Sequence, residues 1–338
     1  RDFTVNAMAV RLPEGEFVDP FGGVKDLAAR RLDTPLEPDV AFSDDPLRML
    51  RAARFAAQLE MTPAPRVVDA VGPMRDRLRI VSAERINDEL SKLLLAPSPS
   101  PGLELVVATG LADEFLPELS ALRLEQDPVQ RHKDVFHHTL AVVDRCDAVL
   151  PLRLAALLHD VGKPATRQIT PDGVSFHHHE VVGARMARER LQALRYPAAV
   201  IDDVARLVEM HLRFHGYSGW TDSAVRRYVR DAGPLLDLLN QLTRADCTTQ
   251  NRLKAKKLEA LQDDLEDRIA RLAEEENLDA LRPPLDGRQV MEHLGIPPGP
   301  SVGRALEHLM EARLDRGPID EEEALRLLDE WAQGEGLK

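Results

Sequence analysis

The sequence predicts a mainly α protein, and three observations carry that reading. Ala, Leu and Arg dominate while aromatic residues make up only 4%. One stretch, near the N-terminus, reads convincingly as a pair of strands. From Ser43 onward apolar residues recur at helical spacing, punctuated by caps and Pro/Gly breaks. A chain of 338 residues, 43% hydrophobic and 30% charged, has an ordinary globular composition and room for two or three compact domains. No apolar run approaches the roughly 20 residues of a membrane span. The net charge of −13 excludes a generally basic nucleic-acid coat, so RNA contacts must come from local arginine and lysine patches. Two cysteines, Cys146 and Cys247, leave no disulfide framework or thiolate zinc site. A reducing cytoplasm is the expected compartment.

Phe3 to Leu12 alternates loosely, Pro13-Glu14-Gly15-Glu16 supplies turn chemistry, and Phe17-Val18-Asp19-Pro20 follows. This is a β-hairpin. Two strands alone are marginal in water, so the hairpin is expected to complete a sheet whose other strands lie upstream. Gly22-Gly23 forms a loop, and a short helix is expected to start at Asp26-Leu27.

Ser43 is the expected N-cap of the next helix, with Asp44 and Asp45 in its first turn. Arg48, Arg51 and Arg54 then recur every three residues along one drifting face, opposite apolar Leu47, Leu50, Phe55 and Leu59. A solvated charged face explains this spacing as well as a binding site does. The combination also has a chemical use: cytosine and adenine each present an exocyclic amine beside a ring-nitrogen acceptor on their pairing edge. A carboxylate accepts from the amine while an arginine donates to the ring nitrogen, and uracil and guanine, with the reverse order, are rejected. The other arginines would hold a triphosphate.

Ser82 to Leu94 forms a second helix, with Ser82 as cap and Ile86, Leu90, Leu93 and Leu94 as its apolar stripe. It reads as structural. Ala96 to Gly102 breaks the chain, a further helix leads to Leu116-Pro117, and a polar linker is expected over about 123–131.

Residues 132–250 hold nine of the eleven histidines. His137 and His138 open a helix with the stripe Val135, Thr139, Val142, Val143, Cys146 and Leu150; at helical spacing His138 borders the stripe and His137 points away. Leu154 to Leu158 runs as an apolar helix into His159-Asp160, then stops at Gly162 with Pro164 beyond. A buried charge is costly unless paired or metal-bound. Taken singly, each histidine reads more readily as a capped or surface residue. Together His138, His159, Asp160 and Asp246 supply nitrogen and oxygen ligands from three helices, which suits Mn, Fe, Co, Ni or Zn. His179 and His211 complete a second position with Asp160 bridging. Two metals so placed would activate water and polarise a phosphoryl oxygen, with His159 and Asp160 at the catalytic centre and Lys163 as a phosphate contact. The tail carries a basic cluster (Arg252, Lys254, Lys256, Lys257), an acidic stretch (Glu274 to Glu276), and expected helices over Gly287 to Leu294, Gly303 to Leu314 and Glu321 to Trp331.

Arg1-Asp2-Phe3-Thr4-Val5-Asn6-Ala7-Met8-Ala9 resembles the motif that ends the catalytic head of class II CCA-adding enzymes and poly(A) polymerases. Asp19-Pro20-Phe21-Gly22-Gly23 with Asp26-Leu27, Asp44 to Phe55, and Ser82 to Leu94 match later motifs in order, with Asp44 standing where the family has Glu. From His132 the chain resembles the metal-dependent phosphohydrolase domain of the HD superfamily. The resemblance implies a head remnant over 1–30, a nucleotide-selecting and tRNA-binding helical neck and body over 31–122, an all-α HD domain over 131–250 and a helical tail over 251–338. It further implies nucleotide contacts from Arg1, Asp2, Asp45, Arg48, Arg51 and Arg54, and metal ligation by His138, His159, Asp160 and Asp246, with His179 and His211 less securely placed. Its implied partners are tRNA, CTP and ATP.

The family's Gly-Ser and Asp-x-Asp motifs, whose carboxylates hold Mg²⁺, do not occur in this sequence. They are expected upstream of Arg1, and the chain as written is expected to lack nucleotidyl transfer although its parent would add C, C and A. Three alternatives remain open: a stand-alone metal phosphohydrolase acting on phosphomonoesters or 2′,3′-cyclic phosphates, a poly(A) polymerase, and a non-catalytic helical RNA-binding module. The last draws little support from 15 basic against 22 acidic residues in 1–130.

Overall fold

The computed structural model describes residues 1–124, 134–170, 173–247, 252–276 and 282–337. Most of the expected linker therefore lies outside the described residues. The architecture is mainly α, as expected. Two compact units form: Arg1–Leu212 with Asp237–Thr248, and Arg213–Leu236 with Thr249–Lys338.

In the first unit β1 (Ala9–Arg11) and β2 (Glu16–Val18) make the expected antiparallel hairpin, with Val10 opposite Phe17. Its apolar side chains stay exposed, Val10 and Phe17 by more than half. Helix α1 (Gly23–Ala28) starts three residues before its expected position because Asp19 accepts from the Gly23 and Val24 amides at 2.7 and 3.0 Å. A two-residue parallel bridge, β3 (Arg31–Leu32) with β4 (Thr62–Pro63), encloses α2 (Pro38–Asp44) and α3 (Leu47–Gln58). Ser43 is therefore not a cap. It lies in the last turn of α2, and the helix break falls at Asp45, whose carboxylate accepts from the Leu47 amide at 3.2 Å.

After α4 (Pro65–Met74) and a 3-10 turn at Arg75–Ile80, α5 (Ala83–Leu94) packs on α3. Ser82 precedes α5 without a side-chain cap bond. Gly102, expected in a break, belongs to α6 (Ser100–Ala108): a Cβ there would stand 2.4 Å from the Ala53 carbonyl oxygen, so α6 lies directly on the α3 backbone. A short α7 (Pro117–Ala121) ends this segment.

Helix α8 (Val135–Arg145) is capped by Asp134, which accepts from the Phe136 amide at 3.0 Å. Every residue of α9 (Leu150–Leu158) from Leu152 on is buried, which makes it the central helix of its region. Leu150 thus opens α9 rather than closing the α8 stripe. Buried Arg153 donates to the carbonyls of Leu94, Ala96 and Cys146, satisfying the end of α5 and the end of α8 with one guanidinium. After α10 (Lys163–Thr166) comes a second hairpin, β5 (Gln168–Thr170) with β6 (Gly173–Ser175). The expected all-α segment therefore holds one strand pair, too short to show in periodicity. Helices α11 (His179–Ala193) and α12 (Ala198–Met210) pack as a pair against α9.

The second unit contains α13 (Asp222–Ala232), whose Arg226 is 7% exposed and donates to Glu276 at 2.7 and 2.6 Å. Helix α14 (Leu236–Asp246) returns to the first unit from Asp237 on. Helix α15 (Arg252–Glu276) is followed by α16 (Gly287–Leu294), α17 (Pro300–Arg316) and α18 (Glu321–Gly334), which share a core of Leu285, Val290, Leu309, Leu327 and Leu328. Among the described residues no helix is long and apolar enough to cross a membrane.

Candidate metal centre and nucleotide-reading face

Five helices of the first unit deliver the histidines and aspartates. His138 lies one turn into α8, His159 and Asp160 follow the last residue of α9, His179 opens α11, His211 follows α12, and Asp246 ends α14. His159, Asp160 and His211 are at most 1% exposed, and His179 is 7% exposed. The rings of His159, His179 and His211 share one device. Each Nδ1 lies against the carbonyl three residues earlier: Ala156 at 2.8 Å, Phe176 at 2.8 Å and Val208 at 2.6 Å. A carbonyl only accepts, so each Nδ1 carries a proton and each Nε2 is the nitrogen turned inward.

The inward atoms form two groups joined at Asp160. In the first, His138 Nε2 lies 3.3 Å from His159 Nε2 and 3.6 Å from Asp160 Oδ2, and His159 Nε2 lies 3.2 Å from that oxygen. Asp246 Oδ1 is 2.9 Å from His138 Nε2 and 3.6 Å from His159 Nε2. Tetrahedral ligands about 2.1 Å from a cation are about 3.4 Å apart, a spacing that the His138, His159 and Asp160 atoms approach, with Asp246 against the two imidazoles. In the second group Asp160 Oδ1 is 3.4 Å from His179 Nε2, which is buried without a hydrogen-bond partner, and His211 completes the set. A buried imidazole nitrogen with no hydrogen-bond partner fits a place beside a cation. Lys163 donates to Asp160 Oδ2 at 2.8 Å and faces the Phe176 ring. His137 points outward and binds Asp134, as its helical position predicts.

Burial opposes ionisation of both carboxyls, but His159 and Lys163 hold Asp160 well below the usual carboxylate range. His138 and His159 do the same for Asp246. Burial also opposes charge on His159, yet Asp160 and Asp246 outweigh it and push the imidazole up to about 9. At His211 burial, reinforced by the His159 charge, wins and takes it down to about 3. Two glycines bring α9 and α11 together, of which Gly162 was legible only as a helix stop. A Cβ on Gly162 would meet the His179 carbonyl oxygen at 2.1 Å, and one on Gly183 would meet the Gly162 nitrogen at 3.3 Å.

The second constellation follows α3. Arg48 donates to the Ala41 carbonyl at 3.0 Å and is 3.8 Å from Asp44. Arg51 reaches Asp2, with Nε 2.9 Å from Oδ2, and is 3.7 Å from Glu89. Burial opposes charge on Asp2, but Asn6, Arg51 and the Phe3 amide hold its carboxyl below the usual range. Arg1 is exposed.

Arg54 departs from expectation. It is 8% exposed, donates to Glu89 at 2.6 Å and Gln58 at 2.8 Å, and lies 3.9 Å over the Phe55 ring. Each three-residue step falls about 60° short of a turn, so after two steps from Arg48 the side chain faces the core instead of a triphosphate. Helix α5, expected to be structural, supplies both Glu89 and Arg85, the latter donating to Asp45 at 2.8 Å. Leu59, expected on the apolar face, is 43% exposed. The pairings of Glu89 with Arg54 and of Arg85 with Asp45 had no sequence signal.

Three family models match along the chain in order: the poly A polymerase head domain over residues 1–33, the probable RNA and SrmB-binding site of polymerase A over 60–122, and the HD domain over 135–329. An A-adding tRNA nucleotidyltransferase of Deinococcus radiodurans is 37% identical over 98% of this chain and 78% of its own. The chain belongs to the tRNA nucleotidyltransferase and poly(A) polymerase family. Within that family a CC-adding tRNA nucleotidyltransferase of Thermus thermophilus is 35% identical over 99% of this chain and 76% of its own. The Bacillus stearothermophilus CCA-adding enzyme, solved in complex with CTP, shares the fold with a TM-score of 0.71 at 23% identity, covering 99% of this chain and 74% of that one. Family membership makes this an enzyme chain with an HD domain, and its clustered ligands make divalent metal use part of its chemistry.

Proposed function

We propose that the chain serves tRNA nucleotidyl transfer within an enzyme that adds CCA to tRNA 3′ ends from CTP and ATP, and that it carries an auxiliary HD phosphohydrolase centre. The ordered run of head, RNA-binding and HD matches supports this reading most. In it, residues 1–30 belong to the head, 31–122 select nucleotide and bind tRNA, 131–250 form the HD domain and 251–338 a helical tail. Asp45 accepts the exocyclic amine of cytosine or adenine and Arg48 donates to the ring nitrogen, beside Arg1. Asp2, Arg51 and Arg54, tied together through Glu89, hold this face in register. Mg²⁺ serves nucleotidyl transfer, through ligands apart from the HD centre. The setting is the cytoplasm, which agrees with a sequence that holds only two cysteines, Cys146 and Cys247.

At the HD centre His138, His159, Asp160 and Asp246 hold one divalent transition ion (Mn, Fe, Co, Ni or Zn), and Asp160, His179 and His211 hold a second. Such ions supply activated water and a polarised phosphoryl oxygen. Lys163 binds substrate phosphate from its place on Asp160. The substrates are phosphomonoesters or 2′,3′-cyclic phosphates.

A second reading restricts the transfer to part of CCA, because two relatives that span nearly the whole chain are an A-adding and a CC-adding enzyme. Sequencing tRNA 3′ ends in cells depleted of the protein, together with an extension assay, separates the two. A addition predicts ends stopping at CC, whereas CCA addition and CC addition both predict ends lacking all three nucleotides and differ in whether the isolated enzyme extends a bare tRNA end to CCA or stops at CC. Intact CCA on tRNAs whose genes do not encode it would overturn both.

A further inference from the structure

Three guanidinium groups from three elements converge where α2 meets α3. Arg48 of α3 donates to the Ala41 carbonyl at 3.0 Å, and Arg77 of the 3-10 turn donates to the Ser43 carbonyl at 3.1 Å. Arg77 thereby satisfies a carbonyl left over at the end of α2, whereas the Ala41 carbonyl accepts from the Asp45 amide as well, at 3.3 Å. Arg85 of α5 differs, because it donates to a side chain: Asp45 Oδ2 at 2.8 Å. The other oxygen of that carboxylate accepts from the Leu47 amide at 3.2 Å. A carboxylate offers about four acceptor positions. Two are taken, one on each oxygen, which stops the group from rotating and leaves a lone pair on each oxygen at a fixed angle.

We propose that Arg85 is a positioning residue for nucleobase selection, setting the Asp45 carboxylate at the angle that meets the exocyclic amine of cytosine or adenine. The inference rests on the nucleotide-reading role of Asp45. Arg85 acts through the carboxylate and not on the base. It is half exposed, with a side chain at 53%, so removing it costs the fold little. Had it merely occupied the base-binding oxygen, its removal would tighten nucleotide binding instead of loosening selection.

The test is a double-mutant cycle on the full 338-residue chain, with CTP, ATP, UTP and GTP each titrated calorimetrically. The parent is expected to prefer CTP and ATP. Arg85→Gln should lower that preference roughly fivefold at an unchanged melting temperature, and Arg85→Lys should keep most of it. In an Asp45→Asn background, Arg85→Gln should change nothing more, because both act through one carboxylate. Unchanged preference in Arg85→Gln, additive losses in the double variant, or tighter binding overturns the assignment alone. No preference in the parent overturns the nucleotide-reading role and this assignment with it.

Discussion

A methyl group on residue 162 would stand 2.1 Å from the His179 carbonyl oxygen and 2.7 Å from the Gly183 amide nitrogen. Carbon–oxygen contacts normally begin at about 3.3 Å, so Gly162→Ala must push the end of α9 and the start of α11 apart by about 1 Å. Both obstacles are backbone atoms, and no side chain can rotate away. Overpacking of this kind costs about 1–3 kcal/mol, and the absence of a flexible neighbour puts this case near the top of that range. The displacement has a directional consequence. His179 opens α11, whereas His138, His159, Asp160 and Asp246 come from α8, α9 and α14. Metal ligands tolerate about 0.2 Å, so the position built on His179 and His211 should empty first. The expected result is an unfolding free energy in urea lowered by about 2–3 kcal/mol, seen as a lower midpoint, and a metal content reduced from two ions to one. An unchanged midpoint would refute the close-packing argument, and equal loss of both ions would refute the two-position reading.

Three further outcomes follow from particular contacts. Glu89→Gln removes the carboxylate shared by Arg51 and Arg54 and should cost about 2–4 kcal/mol in urea unfolding, together with weaker CTP binding by calorimetry. His211→Ala should halve the metal content measured by elemental analysis and abolish hydrolysis of a 2′,3′-cyclic nucleotide; retained hydrolysis with a single ion would remove His211 from the centre. Stability should fall in alkali: burial pushes the Cys146 thiol and the Tyr196 hydroxyl up to about 12 from ordinary values of 9.0 and 10.0. The unfolded chain releases those protons first, so between about pH 9 and 12 stability drops by up to about 1.4 kcal/mol per unit for each group. Cys146→Ala with Tyr196→Phe should flatten that slope in unfolding measured across pH.

Much of this protein was legible in one dimension, because local rules act over a few residues. Apolar spacing placed α3, α5, α8, α9 and α16, and the outward position of His137 beside inward His138 follows from 100° per residue. The ligand set was legible as residue types, since buried imidazole and carboxylate groups at helix ends have few stable uses. The boundary at Asp45 was not, because Ser43 and Asp44 are good caps for a helix that starts after them and equally tolerable in the last turn of one that precedes them. Only the tertiary structure decided which way Arg54 faced, since a drift of about 60° per step becomes inward or outward only once α5 brings Glu89 to it. It also decided the partners of Arg85 and Arg153, separated from their acceptors by 40 residues for Asp45 and by 59 and 57 for Leu94 and Ala96. The same holds for the shape of the His159-Asp160 centre. Its sequence announces a helix stop at Gly162, but the packing requirement there is set by the His179 backbone, which the chain brings back only after the β5–β6 hairpin.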